Sequence, residues 1–374
     1  MGGTGTLGVG MNLYKNKVFR LAYKAYRDFS RYHVIMPRQV RIEGTKLCNL
    51  RCVGCRRHLD GNMSKLPGDK HLTLERLKVI CGMLPTLKVA LFAGDGEPTV
   101  NPYLKDLLRY LERSDIRPTI TTNGTFGDSE LVQVLEECDT FRVSMSMTGA
   151  TKETFEELRT GAKLDTFIHN LELLCKTNIP IYLNYLLLNQ QTLDEIPELV
   201  RIGVEAGVTG FSFMKPYVSD STFVPPDYVN MKGQLEEIGT RIEETGLKWE
   251  GNLNPGPTFR RCYDPFVQPY VTLNGDVFGC QYLANQRTEE WYMGEVVKLD
   301  SKNFIMGNIL KDSLEDIWYN DAYKELRAYM RRTARPVGAE ISREELLEME
   351  LSPDKGERFA YCKGCLYRWR EAGS

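Results

Sequence analysis

The stretch "CNLRCVGC", Cys48 to Cys55, holds three thiols in eight residues, spaced C-x3-C-x2-C. Thiolates are soft ligands that select zinc, copper(I) or iron–sulfur clusters. A structural zinc site closes a tetrahedral shell with four ligands, and no fourth cysteine lies nearby. His58, three residues after Cys55, would complete such a shell, at a spacing shorter than zinc fingers use. The other reading is a [4Fe–4S] cubane in which the loop holds three irons and leaves the fourth open to a substrate. Such clusters ordinarily take four protein thiolates, so an open iron is a chemical feature rather than a structural one.

Outward from this loop the chain has a regular rhythm. Strand candidates are "QVRIEGT" (39–45), "KVALFAG" (88–94), "RPTITTNG" (117–124), "TFRVSMS" (140–146), "PIYLNYLLL" (180–188) and "GFSFMKP" (210–216). Helical patterns lie between them: "LTLERLKVICGML", "PYLKDLLRYLER", "DSELVQVLEEC", "LDTFIHNLELLCK" and "LDEIPELVRIGVEAG". Six strands alternating with helices predict a parallel sheet with right-handed crossovers. The first connection is the long one, and it carries the three cysteines. After residue 225 the alternation stops. "YVNMKGQLEEIGTRIEETG" is one more helix, and "LNGD" between Tyr270–Thr272 and Val277–Phe278 reads as a hairpin with an Asn-Gly turn. "SLEDIWYNDAYKELRAYMRR" reads as a helix, and "SREELLEME" as an acidic helix with a capping box from Ser342 to Glu345.

The C-x3-C-x2-C loop after the first strand resembles the signature of the radical SAM family. The resemblance implies a partial (β/α)6 barrel, in which the open iron chelates the amino and carboxylate groups of S-adenosylmethionine. Reactive groups then gather at the carboxyl ends of the strands, as in other parallel barrels. "GDGEP", ending the second strand, resembles the family's Gly-Gly-Glu-Pro motif, with Asp95 where a glycine often stands. This implies cofactor contacts at Gly96 and Glu97, the glutamate acting as an anionic acceptor for the methionine amino group. "TTNGT" resembles the family's polar third-strand end and implies that Asn123 faces the ligand. "SMSMTG" resembles its Ser-Leu-Asp-Gly, with Ser146 on the serine and Thr148 replacing the aspartate. Arg159 in "FEELRTG" matches an arginine that clamps the methionine carboxylate.

A second set of thiols, Cys262, Cys280, Cys362 and Cys365, lies toward the C-terminus. Four thiolates satisfy a complete cluster and equally satisfy zinc. The block resembles the SPASM and twitch extensions of radical SAM enzymes, as does "GNILKDSLEDIW" (307–318). The resemblance implies one auxiliary [4Fe–4S] cluster, fully ligated as in the twitch variant. The segment 334–357 has no assigned role. Cys81, Cys138 and Cys175 fall on helices among apolar neighbours and read as core. The expected organisation is a glycine-rich tail and basic helix (1–37), the barrel (38–225), then a linker helix and auxiliary-cluster domain (226–374).

Composition agrees with such a protein. With 374 residues there is room for a large α/β domain and a smaller appended one. The net charge of −2 gives no general pull toward nucleic acid. "MGGTGTLGVG" lacks the apolar core of a signal peptide, and no run of about 18 apolar residues suggests a spanning helix. A cytoplasmic chain keeps its thiols reduced and available to metals. Gly3, Gly5 and Gly8 fit G-x-G-x-x-G, but no strand precedes them to form a phosphate cradle. Gly2 and Thr6 fit a short myristoylation pattern. Residues 11–32 read as a helix with Lys15, Lys17, Arg20, Lys24, Arg27 and Arg31 off its apolar stripe. That helix either lies across the domain with a solvated basic face or touches a membrane surface or an anionic partner.

The resemblance also implies a reaction. The reduced first cluster cleaves S-adenosylmethionine to a 5′-deoxyadenosyl radical, which takes a hydrogen atom from substrate; an electron donor such as flavodoxin or ferredoxin recharges it. An auxiliary cluster accepts the remaining electron, as in the twitch-bearing aminocyclitol dehydrogenases. The expected activity is therefore a radical SAM oxidoreductase acting on a sugar or aminocyclitol alcohol. A general base is needed, and Asp220, Glu250, Asp264 and Asp276 are candidates that spacing cannot separate and that read as surface carboxylates. The competing expectations are a SPASM-type peptide maturase (epimerase, thioether or formylglycine forming), for which the 47 residues before Cys48 are few, and a lipid-modifying enzyme seated by the basic helix. A non-enzymatic module stapled by zinc leaves Glu97 and the three-thiol loop unexplained.

Overall fold

The computed structural model describes residues 17–55, 69–127, 129–214, 232–251, 262–284, 290–292, 295–297, 301–334, 358–359 and 362. His58, Asp220, Cys365, the glycine-rich start and the acidic helix lie outside the described residues.

The strands are β1 (Gln39–Ile42), β2 (Arg51–Cys52), β3 (Val89–Phe92), β4 (Arg117–Thr122), β5 (Arg142–Met147), β6 (Arg159–Thr160), β7 (Ile181–Leu186), β8 (Gly210–Met214), β9 (Lys248–Gly251), β10 (Tyr270–Val271), β11 (Asp276–Phe278), β12 (Glu290–Tyr292), β13 (Glu295–Val297) and β14 (Gly307–Asn308). Ten of them form one sheet in the order β14-β11-β10-β1-β3-β4-β5-β7-β8-β9. The run from β10 to β9 is parallel throughout. All six strand candidates are present, trimmed at their ends. The expected stop of the alternation after residue 225 is corrected by β9, a seventh strand that extends the sheet beyond β8. Four residues with one tryptophan carry too little alternation to register as a strand.

One face of the sheet carries the core. Val40, Ile42, Ala90, Phe92, Ile120, Val143, Met145 and Met147 are buried there. They pack under helices whose apolar residues recur at helical spacing, such as Leu104, Leu107, Leu108 and Leu111 of Leu104–Arg113. The other face is concave. Arg142 on β5 pairs with Glu250 on β9 at 2.7 Å, although β7 and β8 lie between. At about 4.8 Å per strand a flat sheet would hold those strands roughly 14 Å apart, so the sheet curls toward this face as a partial barrel.

β10, β11 and β14 continue the sheet past β1. The Asn-Gly hairpin forms as expected: Gly275 takes φ +84, where a side chain would strike Leu310. The helix expected over 313–332 is two, Leu314–Tyr319 and Asp321–Arg332. Ser313 caps the first, and Asn320 both ends it and caps the second. The basic helix Lys17–His33 packs beside this region, with Arg27 over the Tyr263 ring at 4.8 Å and Leu21 and Phe29 exposed. Trp318 Nε1 donates to Ile35 O at 3.0 Å, tying the following segment down. No helix among the described residues is long and apolar enough to cross a membrane.

Candidate functional site

The cysteine loop leaves the carboxyl end of β1. Thr45 Oγ1 donates to Lys70 O and accepts from Leu47 N, turning the chain toward Cys48. Beyond Cys48, β2 pairs antiparallel with β6, placing Cys52 opposite Arg159. Val53 N donates to Leu158 O at 2.8 Å. Thus the thiol loop and the arginine, about a hundred residues apart in sequence, form one short ribbon.

The turn after β3 packs on the same loop. Glu97 N donates to Leu47 O at 2.7 Å. A Cβ on Gly96 would lie 2.2 Å from Thr45 O and 2.6 Å from Leu47 O, so only glycine permits this approach. The Glu97 carboxylate is buried. Its Oε1 accepts from Thr99 N, Thr99 Oγ1 and Thr122 Oγ1, and Oε2 accepts from Asn123 N at 2.6 Å. Burial pushes its carboxyl up against the pull of these bonds. With these donors on it, the carboxylate holds the turn against β4; Oε2 alone retains accepting capacity.

Asn123 joins the parts. Its Nδ2 donates to Asn49 Oδ1 at 2.8 Å and approaches Cys48 Sγ at 3.8 Å, its N–H goes to Glu97, and its carbonyl accepts from Arg159 Nη2 at 2.9 Å. Arg159 is 2% exposed, with Phe155 and Phe167 against its guanidinium. Its Nε and Nη1 are buried with no hydrogen-bond partner. Burial lowers its basicity, and the neighbouring Cys52, Glu97 and Cys48 push it back up. Burial likewise raises the Cys52 thiol while Arg159 pulls it down. A buried guanidinium with two unsatisfied N–H groups is costly to leave unpaired. Beside a loop of soft donors, it fits an anionic ligand group and a thiolate-bound cluster.

Ser146 stands apart from this lattice, on the concave face of β5. It is in register with Asn184 on β7, then Ser212 on β8 and Glu250 on β9. Asn184 Oδ1, and Thr119 Oγ1 on β4, are buried without partners. This polar row, apart from Ser146 and Glu250, escapes a reading by motif. Its signal is a period of two, with Ser144 and Ser146, then Tyr182 and Asn184, alternating with apolar residues inside central strands.

Cys262 and Cys280 are half-buried against the core and Cys362 is buried in it. None of the described cysteines is in a disulfide. They come from the segment before β10, the end of β11 and the C-terminal region. Among the described residues no three ligating side chains converge as a single metal ion requires; a cubane spreads its thiolates over separate irons. Soft donors on an apolar core suit that group. Cys81, Cys138 and Cys175 pack with the core, and burial raises their thiols to about 12, 11 and 12, which leaves them inert. The three described candidate bases have partners or opposing charge, and the Glu250 side chain stays 42% exposed. Glu250 pairs with Arg142, Asp276 accepts from Asn308 Nδ2, and burial raises Asp264 against the pull of Arg41.

Residues 42–202 match the family model of the radical SAM superfamily, and residues 262–366 match that of SPASM, an iron–sulfur cluster-binding domain. The chain is 29% identical over 321 residues to the AdoMet-dependent heme synthase of Methanosarcina barkeri, spanning 78% of this chain and 85% of that protein. It is 26% identical over 312 residues to the tungsten-containing aldehyde ferredoxin oxidoreductase cofactor-modifying protein of Pyrococcus furiosus, spanning 76% and 82%. Its structure is similar to the crystal structure of Streptococcus suis SuiB bound to precursor peptide SuiA, with TM-score 0.59 and 18% identity over 83% of this chain and 72% of that one. At that identity the likeness shows the fold.

Proposed function

From the premise that this chain belongs to the radical SAM superfamily and carries a SPASM iron–sulfur cluster-binding domain, we propose that it is an oxidoreductase acting on a small hydroxylated molecule, such as a sugar or aminocyclitol alcohol. The supporting observation is the position of β1. Its carboxyl end leads into the cysteine loop, and its free edge is extended by β10 of the cysteine-bearing C-terminal region. The strand that leads into the cysteine loop therefore pairs with the hairpin that lies between Cys262 and Cys280.

When bound, the first cluster supplies the electron that cleaves S-adenosylmethionine, and the auxiliary cluster takes up an electron from the oxidised substrate. Cys48, Cys52 and Cys55 would hold the first, and Cys262, Cys280, Cys362 and Cys365 the second. Arg159 Nε and Nη1 would donate to the methionine carboxylate, a charge-assisted contact in a dry setting. Glu97 and Asn123 would keep the turn and the loop in register. The neutral row of Ser146, Asn184 and Ser212 suits hydroxyl or carbonyl groups. Flavodoxin or ferredoxin would serve as the electron donor.

A second reading is favoured by the relatives that match most of this chain. Both are named for work on cofactors, which supports a cofactor precursor as the molecule oxidised. The test is anaerobic reconstitution followed by assay of 5′-deoxyadenosine, with candidate alcohols and cofactor precursors deuterated at the reacting carbon. Deuterium in 5′-deoxyadenosine identifies the substrate class. No 5′-deoxyadenosine from a chain loaded with about eight irons would defeat the proposal.

A further inference from the structure

We propose that Arg41, a residue of the barrel strand β1, is the positive charge that sets the reduction potential of the auxiliary cluster. This rests on reading the C-terminal cysteines as that cluster's ligands. Arg41 is in register with Tyr270 of β10. Its Nη1 donates to Gln281 Oε1 at 3.2 Å, and Gln281 directly follows Cys280. Its charge also acts on Asp264, two residues after Cys262. The guanidinium thus lies against the flanks of two ligand-bearing segments while belonging to the other domain. Its Nε is buried with no hydrogen-bond partner, so part of its donor capacity is unspent.

The physical consequence follows from charge. Four thiolates leave a cubane net negative, and reduction adds one more negative charge. A fixed cation nearby stabilises the reduced form more than the oxidised form, and charge and hydrogen bonding near the sulfurs set such potentials. Burial strengthens the effect because solvent screens it poorly. A cluster that accepts an electron from substrate needs that bias.

The test is a redox titration followed by electron paramagnetic resonance on the reconstituted full chain carrying Cys48, Cys52 and Cys55→Ala, which leaves only the auxiliary signal. Arg41→Gln is expected to cut the reduced-to-oxidised ratio about tenfold at the parent midpoint, a lowering of about 59 mV for one electron. Arg41→Lys keeps the charge and is expected to stay within about twofold of the parent ratio. Gln281→Leu, which releases the guanidinium without removing it, is expected to shift the midpoint the same way by less. It carries the test if Arg41→Gln fails to load iron. An unchanged midpoint in Arg41→Gln, an equal shift in the Lys variant, or no shift in Gln281→Leu overturns the proposal. Failure of the parent to take up about four irons overturns the cluster reading itself.

Discussion

The two thiol sites are built in opposite ways. At the first, one loop of eight residues supplies every cysteine, and three strand ends close around it through Glu97, Asn123 and Arg159. At the second, the thiols come from separate segments between residues 262 and 365, and the described ones, Cys262, Cys280 and Cys362, pack with a core that holds Phe266, Trp318 and Tyr323. The first site keeps unspent donors beside its thiols, as a site that receives a ligand does. The second set counts four cysteines, enough to ligate every iron of one cluster. A local loop can leave a metal position open because neighbouring strands, rather than a fourth thiol, hold it in shape.

The comparison breaks most visibly at the ligands. Cys48→Ala is expected to lower S-adenosylmethionine cleavage by more than about a hundredfold, beyond what loss of an outer-shell partner costs, and to spare the auxiliary cluster. Measuring 5′-deoxyadenosine and iron per chain checks both. Cys280→Ala is the converse: iron falls from about eight to about four, uncoupled cleavage persists, and product formation stops. Full product from this variant would remove the electron-acceptor role.

The seam between the regions gives a smaller effect with a defined sign. Glu43, just past β1, accepts from Leu273 N of the C-terminal hairpin at 2.9 Å and lies against Gly94. Burial raises its carboxyl from 4.5 to about 7; Leu273 pulls it down, Asp95 adds repulsion and Lys46 attraction. The folded chain then holds a proton that the unfolded chain has lost. Stability is full below pH 4.5 and declines as pH rises through 7, by at most about 3 kcal/mol. Glu43→Gln keeps an acceptor for Leu273 and is expected to lose that decline. Chemical unfolding of both proteins at pH 5 and pH 8 measures it, and parallel pH curves would show that the seam is not titrating. Smallest is Asn320→Ala, which removes the bonds to Tyr323 N and Met306 O. It is expected to cost about 1 kcal/mol and, by thermal unfolding, to leave cleavage at the first site unchanged.

The barrel was legible because its signals are local. Strand and helix periods, the cysteine spacing and the Asn-Gly turn each lie within a few residues and act through backbone sterics and side-chain chemistry. β9 was not legible, since four residues have too little pattern to outweigh the helix before them. Nor was the break at Asn320, where one side chain both ends a helix and starts another.

The amino-acid sequence alone determined the candidates for the chemistry: three clustered thiols, a glutamate preceded by glycine and four later cysteines, because ligand softness and spacing are properties of the chain. Only the tertiary structure decided what those residues are free to do. It bound the Glu97 carboxylate to Thr99, Thr122 and Asn123, left Arg159 with two buried unpaired N–H groups, and set Arg41 of the barrel against Gln281 of the other domain. Hydrogen bonds and charge act through space, and the strand pairings that bring these partners together join residues far apart in the chain.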